Sequence, residues 1–351
     1  MDVRLSFEQR ALQSQAAQIV ERHGPRSVVD LDDSERTARL KAAVDTSGWL
    51  GLRDRGDDDA PLASGVEVAV VAEELGRGLA DVAYLGPTLA GELRRRAGAE
   101  TSESNATVLL NQTLTWLASV PGTERPNGVA LDARGASTAV VLVDDETAGT
   151  TRLGVVALKA PSVQLDLTRL SAEPDPTVAV ATAETAGAVG DDDVAATVAL
   201  GLAISCADLV GVMGGAIDLA RDYAANRRQY GAPIGSYQAV QHMIADAFVA
   251  MEGSRSVALH AAWAVDALRP LEALSAAALA KAYCARSART VCETCIQVHG
   301  GIGNTWDCLA HVYLRRALLS SELFGGSGPN LGRVLAHRGV VVDDGSGHGF
   351  R

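Results

Sequence analysis

The pattern of apolar and polar positions changes twice along the chain. At the N-terminus, MDVRLSFEQRALQSQAAQIVERHG places Leu5, Leu12, Ala16 and Ile19 on one side of a helical projection and predicts an amphipathic helix. Further on, SGVEVAVVAEELGRGLADVAYLGPTLAGELRRRAG predicts a strong helix, a glycine break and a second helix closed by arginines that suit a C-terminal dipole. Between them GWLGLRDRGDDDAPLAS reads as an acidic loop. After about residue 105 the runs become short and β-branched: ATVLLNQTLTWLASV, STAVVLVDD, RLGVVALKA and TVAVATAE, cut by Gly, Pro and Asp. Helical periodicity then returns in four long segments, and VVVDDGSGHGFR reads as a frayed tail. The expected fold is α+β and mostly α. It comprises an N-terminal helical domain (1–104), a small middle β domain (105–192), a C-terminal four-helix bundle (193–338) and a tail (339–351).

Composition sharpens this picture. Hydrophobic residues make up 47% of the 351 and aromatics only 4%, so the core must be built from Ala, Val and Leu, which brings helices close together. A net charge of −12 argues against nucleic-acid binding, which needs a basic face, but leaves room for a local basic pocket for phosphates. No apolar run reads as approaching the length of a membrane span and no signal peptide opens the chain, so a cytoplasmic location without a membrane span is expected. The five cysteines, Cys206, Cys284, Cys292, Cys295 and Cys308, are an odd set in helical contexts, which argues against a disulfide framework. Within CETC, Cys292 and Cys295 would suit a redox dithiol or half a zinc site. Zinc wants two further ligands and none stands nearby, so two small core residues on a helix is the simpler reading. The seven histidines show no HExxH spacing and no GxSxG elbow occurs, so neither a metal site nor acyl transfer is expected.

Two stretches carry candidate chemistry. AIDLARDYAANRRQYGAPIGSYQAVQHMIAD (216–246) reads as a helix, a turn containing Gly231 and Pro233, and a second helix beginning near Ser236. Arg227 and Arg228 at the end of the first helix would serve as dipole-capping cations, or as a clamp whose planar forks suit a pyrophosphate. In QVHGGIGNTWD (297–307), Gly301, Gly303 and Trp306 imitate part of a dinucleotide fingerprint. That fingerprint needs a strand before it, whereas SARTVCETCIQV reads as the end of a helix, so a Rossmann site is not expected. Glycines this dense let backbone come close to another chain or to a phosphate.

Taken together, YAANRRQYGAPIGSYQAVQHMIAD, QVHGGIGNTWD and YLRRALLSSELFGG resemble the C-terminal domain of acyl-CoA dehydrogenases. WLGL and VVAEELGRGLADVAY resemble that family's first helical domain, and LDLTRLSAE (165–173) resembles the end of its middle β domain. The resemblance implies a cofactor, FAD, and oxidation of an acyl-CoA thioester to the 2,3-enoyl-CoA. A glutamate takes the α-proton, and electrons pass on to an acceptor resembling electron-transfer flavoprotein. It also implies that one subunit's arginine and glutamine–glycine motifs hold the FAD bound mainly by its neighbour. Carried over, Arg227 would face the pyrophosphate with Gln229, Tyr237 and Gln238 nearby, and Gln297, Gly300 and Gly301 would lie against the adenosine half.

Three family features are missing. The flavin-ring segment, Thr-Glu-Pro followed by Gly-Ser-Asp, is replaced by LASVPGTERPNGVAL. The substrate-binding Asp-x-x-Arg falls on Ala199 to Leu202, without a charge. At the usual base position stands Phe324, at the alternative position Gly201, and Glu322 lies two residues from the former as a weak candidate. The loop RDRGDDDAP also replaces the family's Pro-Glu-x-x-Gly-Gly. These losses are one-sided, and the chain is similar to the non-catalytic subunits that some actinobacterial acyl-CoA dehydrogenases, including ones acting on steroid side chains, pair with a catalytic chain. The expected partner is a longer homologue in a heterotetramer. The alternatives are a self-sufficient homo-oligomeric dehydrogenase using Glu322 or another base, and a flavin-free scaffold or regulatory protein.

Overall fold

A computed structural model describes residues 4–56, 60–99, 106–121, 126–145, 149–182 and 187–340. The N-terminal part is helical: α1 (Phe7–His23), α2 (Ser34–Thr46), α3 (Gly65–Arg77) and α4 (Leu85–Arg96). Local sequence sets the starts. Ser6 and Gln9 form a capping box on α1, Asp33 caps α2, and Ser64 with Glu67 forms a second box on α3. The three arginines expected to close a helix, Arg94, Arg95 and Arg96, occupy the last turn of α4.

A sheet of seven strands among the described residues follows, in the order β3 (Val129–Ala130), β1 (Ala106–Leu110), β4 (Thr138–Asp145), β5 (Thr150–Ala157), β8 (Ala181–Thr182). β2 (Ser119–Pro121) also pairs with β4, and β9 (Ala188–Val189) with β5. β4 and β5 make an antiparallel hairpin from Thr138↔Ala157 to Asp145↔Thr150, while β1 and β2 run parallel to β4. Alternation divides the sheet's side chains. Val108, Leu110, Val140, Leu142 and Leu153 join the main core, whereas Leu109, Ala139, Val141 and Val156 build a small core on the other face. A separate pair, β6 (Ser162–Val163) with β7 (Leu170–Ser171), lies beside them.

The C-terminal part comprises α5 (Asp191–Asn226), α6 (Gln238–Ala267), α7 (Pro270–His299), α8 (Ala310–Glu322) and α9 (Ser327–His337). Three long helices and two short ones therefore replace the four long segments expected. The main core is continuous from α1 to α9, because α3 packs directly on α5 and α6. Glycines make that packing close. A Cβ on Gly211 would stand 1.9 Å from the Glu73 carbonyl oxygen, and one on Gly76 2.5 Å from that of Asp208.

One expectation needs correcting. Helix α5 is long and apolar enough to cross a membrane, although no run was expected to approach that length. Its most apolar stretch is wholly buried among the other helices, so it is the core helix of the bundle. The tail expected at 339–351 lies outside the described residues from 341 onward, as do 57–59 of the acidic loop and 122–125 of the segment replacing the flavin-ring motif.

Candidate functional site

Because α5, α6 and α7 run up, down and up, the C-termini of α5 and α7 meet the start of α6 at one end of the bundle. Arg227 is the C-cap of α5, its N–H donating to the Tyr223 carbonyl at 2.8 Å. The chain then turns through a two-residue hairpin in which Arg228–Gln229 pairs with Ala232–Pro233. Tyr230 (φ 52°) and Gly231 (φ 80°) form its tip, the left-handed pair that a tight right-twisted hairpin requires. The Tyr237 hydroxyl donates back to the Gln229 carbonyl at 2.9 Å, and Gln238 opens α6. Opposite, α7 ends at His299, whose ring stacks on Tyr223 at 4.6 Å between centroids. That stack ties the glycine turn at 300–304 to the arginine hairpin. Of the seven residues expected to hold a cofactor, Arg227 and Gln229 thus lie at the hairpin, Tyr237 and Gln238 at the start of α6, and Gln297, Gly300 and Gly301 at the adjoining helix end.

All seven are exposed. Gly300 has φ 66°, and a Cβ on Gly300 or Gly301 would meet nothing within 4 Å. Among the described residues neither Arg227 nor Arg228 has a carboxylate partner. Two free guanidinium groups beside open glycine backbone form a surface that an anionic ligand could approach closely. The cysteines of CETC fall on the buried side of α7, and burial pushes both thiols up, Cys295 to about 12. They are inert core residues, and no cluster of metal ligands occurs among the described residues.

Phe324 and Gly201 converge although they are far apart in sequence. Phe324, fully buried in the turn after α8, adopts φ 59°, a left-handed conformation disfavoured for a bulky residue. Its carbonyl accepts from Arg333 Nη1 (2.6 Å), while Asn330 Nδ2 donates to the Gly325 carbonyl (2.6 Å). The ring lies on Gly201 of α5: a Cβ there would be 2.7 Å from both Cε2 and Cζ of the phenyl. Glu322, by contrast, is exposed, and its carboxylate would stand 3.0 Å from a Cβ on Gly326.

Beneath the sheet a buried ionic network joins β7's approach, α5 and α8. Arg316 holds Asp208 (2.6 Å), the Thr168 hydroxyl (2.9 Å) and the Ala80 carbonyl (2.8 Å). Arg169 pairs with Asp166 (2.8 Å) and bonds the Ser320 hydroxyl, which donates to Asp208 at 2.6 Å. Burial opposes the charge on Arg169, but Asp208, Asp166 and Asp132 outweigh it. Burial likewise opposes ionisation of Asp208, yet Arg316 and Arg169 hold its carboxyl below the ordinary range. The sequence reading missed this network; an aspartate inside an otherwise apolar helix was the available signal. Above it, between the sheet and α8, opens a cleft of about 520 Å³ lined by Leu319 and Leu323 but not by Glu322.

Residues 195–338 match the acyl-CoA dehydrogenase C-terminal domain. The chain is 32% identical over 265 residues to the acyl-CoA dehydrogenase IpdE2 of Mycobacterium tuberculosis, covering 73% of each protein. The chain belongs to the acyl-CoA dehydrogenase family. It also matches the acyl-CoA dehydrogenase FadE34 of the same organism, 41% identical over 145 residues that span 41% of this chain and 20% of that one. In fold it resembles the ChsE4-ChsE5 complex from Mycobacterium tuberculosis (TM-score 0.79, 22% identity, covering 97% of this chain and 100% of that one). It also resembles butyryl-CoA dehydrogenase from Megasphaera elsdenii (TM-score 0.74, 16% identity, covering 96% and 99%).

Acyl-CoA dehydrogenases are FAD-dependent oxidoreductases acting on CH–CH bonds. The two halves of this acyl-CoA dehydrogenase differ in how they fit that cofactor. The exposed end of the bundle, with open glycines and two arginines that have no carboxylate partner among the described residues, suits a diphosphate. In the interior, Phe324 and Gly201, where the sequence resemblance would put a catalytic base, present a phenyl ring and a hydrogen to each other.

Proposed function

We propose that this chain is a non-catalytic acyl-CoA dehydrogenase subunit that completes the FAD site of a longer catalytic homologue in a heterotetramer. The observation that carries the reading is the Phe324 ring packed on Gly201, which leaves no proton acceptor at either base position. The exposed, unpaired Arg227 beside Gln297, Gly300 and Gly301 supports the complementary half. Arg227 would neutralise the partner's flavin diphosphate, with Gln229, Tyr237 and Gln238 around it. Gln297 and the two glycines would receive the adenosine half. Bound FAD supplies the hydride acceptor; the proton acceptor belongs to the partner chain. The substrate class is an acyl-CoA thioester with a fatty or steroid-derived acyl group, and the electrons leave to an acceptor resembling electron-transfer flavoprotein. The likeness to a two-chain complex of related fold supports the heteromeric assembly.

The test is acyl-CoA oxidation with an artificial electron acceptor, using the chain alone and co-expressed with a longer homologue that carries an intact flavin-ring segment and a catalytic glutamate. Turnover should appear only in the mixed oligomer, and Glu322→Gln should leave it nearly intact, since loss of a true general base costs about 10²-fold or more. Enzyme-like turnover by the chain alone, or a loss of that size from Glu322→Gln with assembly unchanged, would favour a self-sufficient enzyme.

A further inference from the structure

We propose that Trp306 is a stacking platform for the adenine ring of the partner chain's FAD and so selects for a flavin dinucleotide. The inference rests on the function proposed above, and adds a base contact to the diphosphate and glycine contacts named there. Of the four tryptophans, Trp49 is buried, Trp116 and Trp263 are half-buried, and Trp306 alone is exposed, at 62%. A large indole held in water gains when another planar group covers it.

Trp306 follows directly on the glycine turn. The Thr305 N–H donates to the Ile302 carbonyl (3.0 Å) and the Cys308 N–H to the Thr305 carbonyl (3.2 Å), which holds this stretch close to the turn that Gly300 and Gly301 open. Two side chains of α8 brace the ring. The Arg315 guanidinium carbon lies over it, 5.8 Å from the centroid, and Arg315 Nη1 is itself tied to the Leu165 carbonyl at 3.4 Å. His311, buried, meets the indole in a T-shaped contact at 5.0 Å between centroids. Burial, and then the charge of Arg315, hold the His311 pKa down, so the imidazole is neutral at neutral pH and no second cation crowds Arg315.

A braced indole is preorganised for a flat partner, because its rotamer is fixed before anything binds and less entropy is lost on contact. Stacking needs only a π-face, which every nucleobase offers and a sugar, a phosphate or an alkyl chain does not. The base is adenine because the adenosine half of FAD is the part assigned to this turn, with Arg227 at the diphosphate. Trp306 then discriminates by what lies beyond the diphosphate: a flavin mononucleotide has no ring to set on it.

The test titrates the mixed oligomer, freed of flavin, with FAD and with FMN, follows acyl-CoA binding to the FAD-loaded form, and records native mass. Trp306→Leu, apolar but without a π-face, should weaken FAD binding about tenfold. Trp306→Tyr should recover most of that loss. FMN, bound or not, should behave as with the wild type, and the native mass should not change. Unchanged FAD affinity in Trp306→Leu, an equal fold-loss for both flavins, no recovery by tyrosine, or lost assembly would overturn the proposal. So would weaker acyl-CoA binding with FAD binding intact, which would assign the indole to the adenine of coenzyme A. Arg227→Ala separates the platform from the reading beneath it. If Arg227→Ala weakens FAD binding and Trp306→Leu does not, the platform alone falls. If the wild-type mixed oligomer holds no FAD, or Arg227→Ala costs it none, the shared site falls and the platform with it.

Discussion

The contact between Phe324 and Gly201 is both the strongest local constraint in the site and the simplest to test. Any side chain at 201 must displace a fully buried ring, since its Cβ would also come within 3.1 Å of Leu89 Cδ1. Gly201→Ala should therefore destabilise the chain by about 1–3 kcal/mol through overpacking. Phe324→Ala should cost about 3–5 kcal/mol by leaving a cavity. The double variant should be less unstable than the sum, because the new methyl enters the vacated space. Urea unfolding of the four proteins measures this, and a neutral Gly201→Ala would show that the ring does not pack there. At the exposed end, Arg227→Ala in the assembled complex should release flavin more readily than Arg228→Ala. A charge-assisted bond to a diphosphate is worth about 1.5–3 kcal/mol. Flavin retention through gel filtration compares them, and equal losses would refute the register. Family positions made Phe324 and Gly201 each legible in the sequence. Their contact was not, because no local pattern joins a turn after α8 to the middle of α5.

At the scale of elements, periodicity revealed what was long. Helices α1, α3, α4 and α5 and the β4–β5 hairpin follow from spacing and capping residues. β3, β6 and β7 went unread because two residues carry no period. The acidic loop misled in a different way: Arg53 within it is buried and bridges Glu92 of α4 (3.1 Å) to Asp266 of α6 (2.9 Å). Its role depends on partners distant in sequence. That cluster makes a pH prediction. Burial opposes ionisation of Glu92, but Arg53, Arg95 and Arg96 outweigh it and bring its pKa down from 4.5 to about 2. A carboxyl depressed on folding stabilises the protein above its unfolded pKa, and the contribution, on the order of 3 kcal/mol, is lost as pH falls from about 4.5 towards 2. Wild type should lose urea stability across that window, and Glu92→Gln should be weaker at neutral pH with a shallower acid slope. Parallel slopes would mean that Glu92 does not titrate with folding.

For the whole molecule, the asymmetry of the site is what the account rests on. The surface facing outward has two arginines without a carboxylate partner among the described residues and open glycine backbone, while Phe324 and Gly201, where a base was expected, are packed against each other. The sequence reading expected both halves as motifs kept or lost, and the fold places those residues on different sides of one bundle, one set exposed and the other buried. The most direct measurement is the flavin-to-protein ratio from visible absorbance, taken on the purified chain alone and on its complex with the longer homologue. The account predicts little or no FAD on the chain alone and one FAD per pair of unlike chains in the complex. One tightly held FAD per copy of the isolated chain would contradict it.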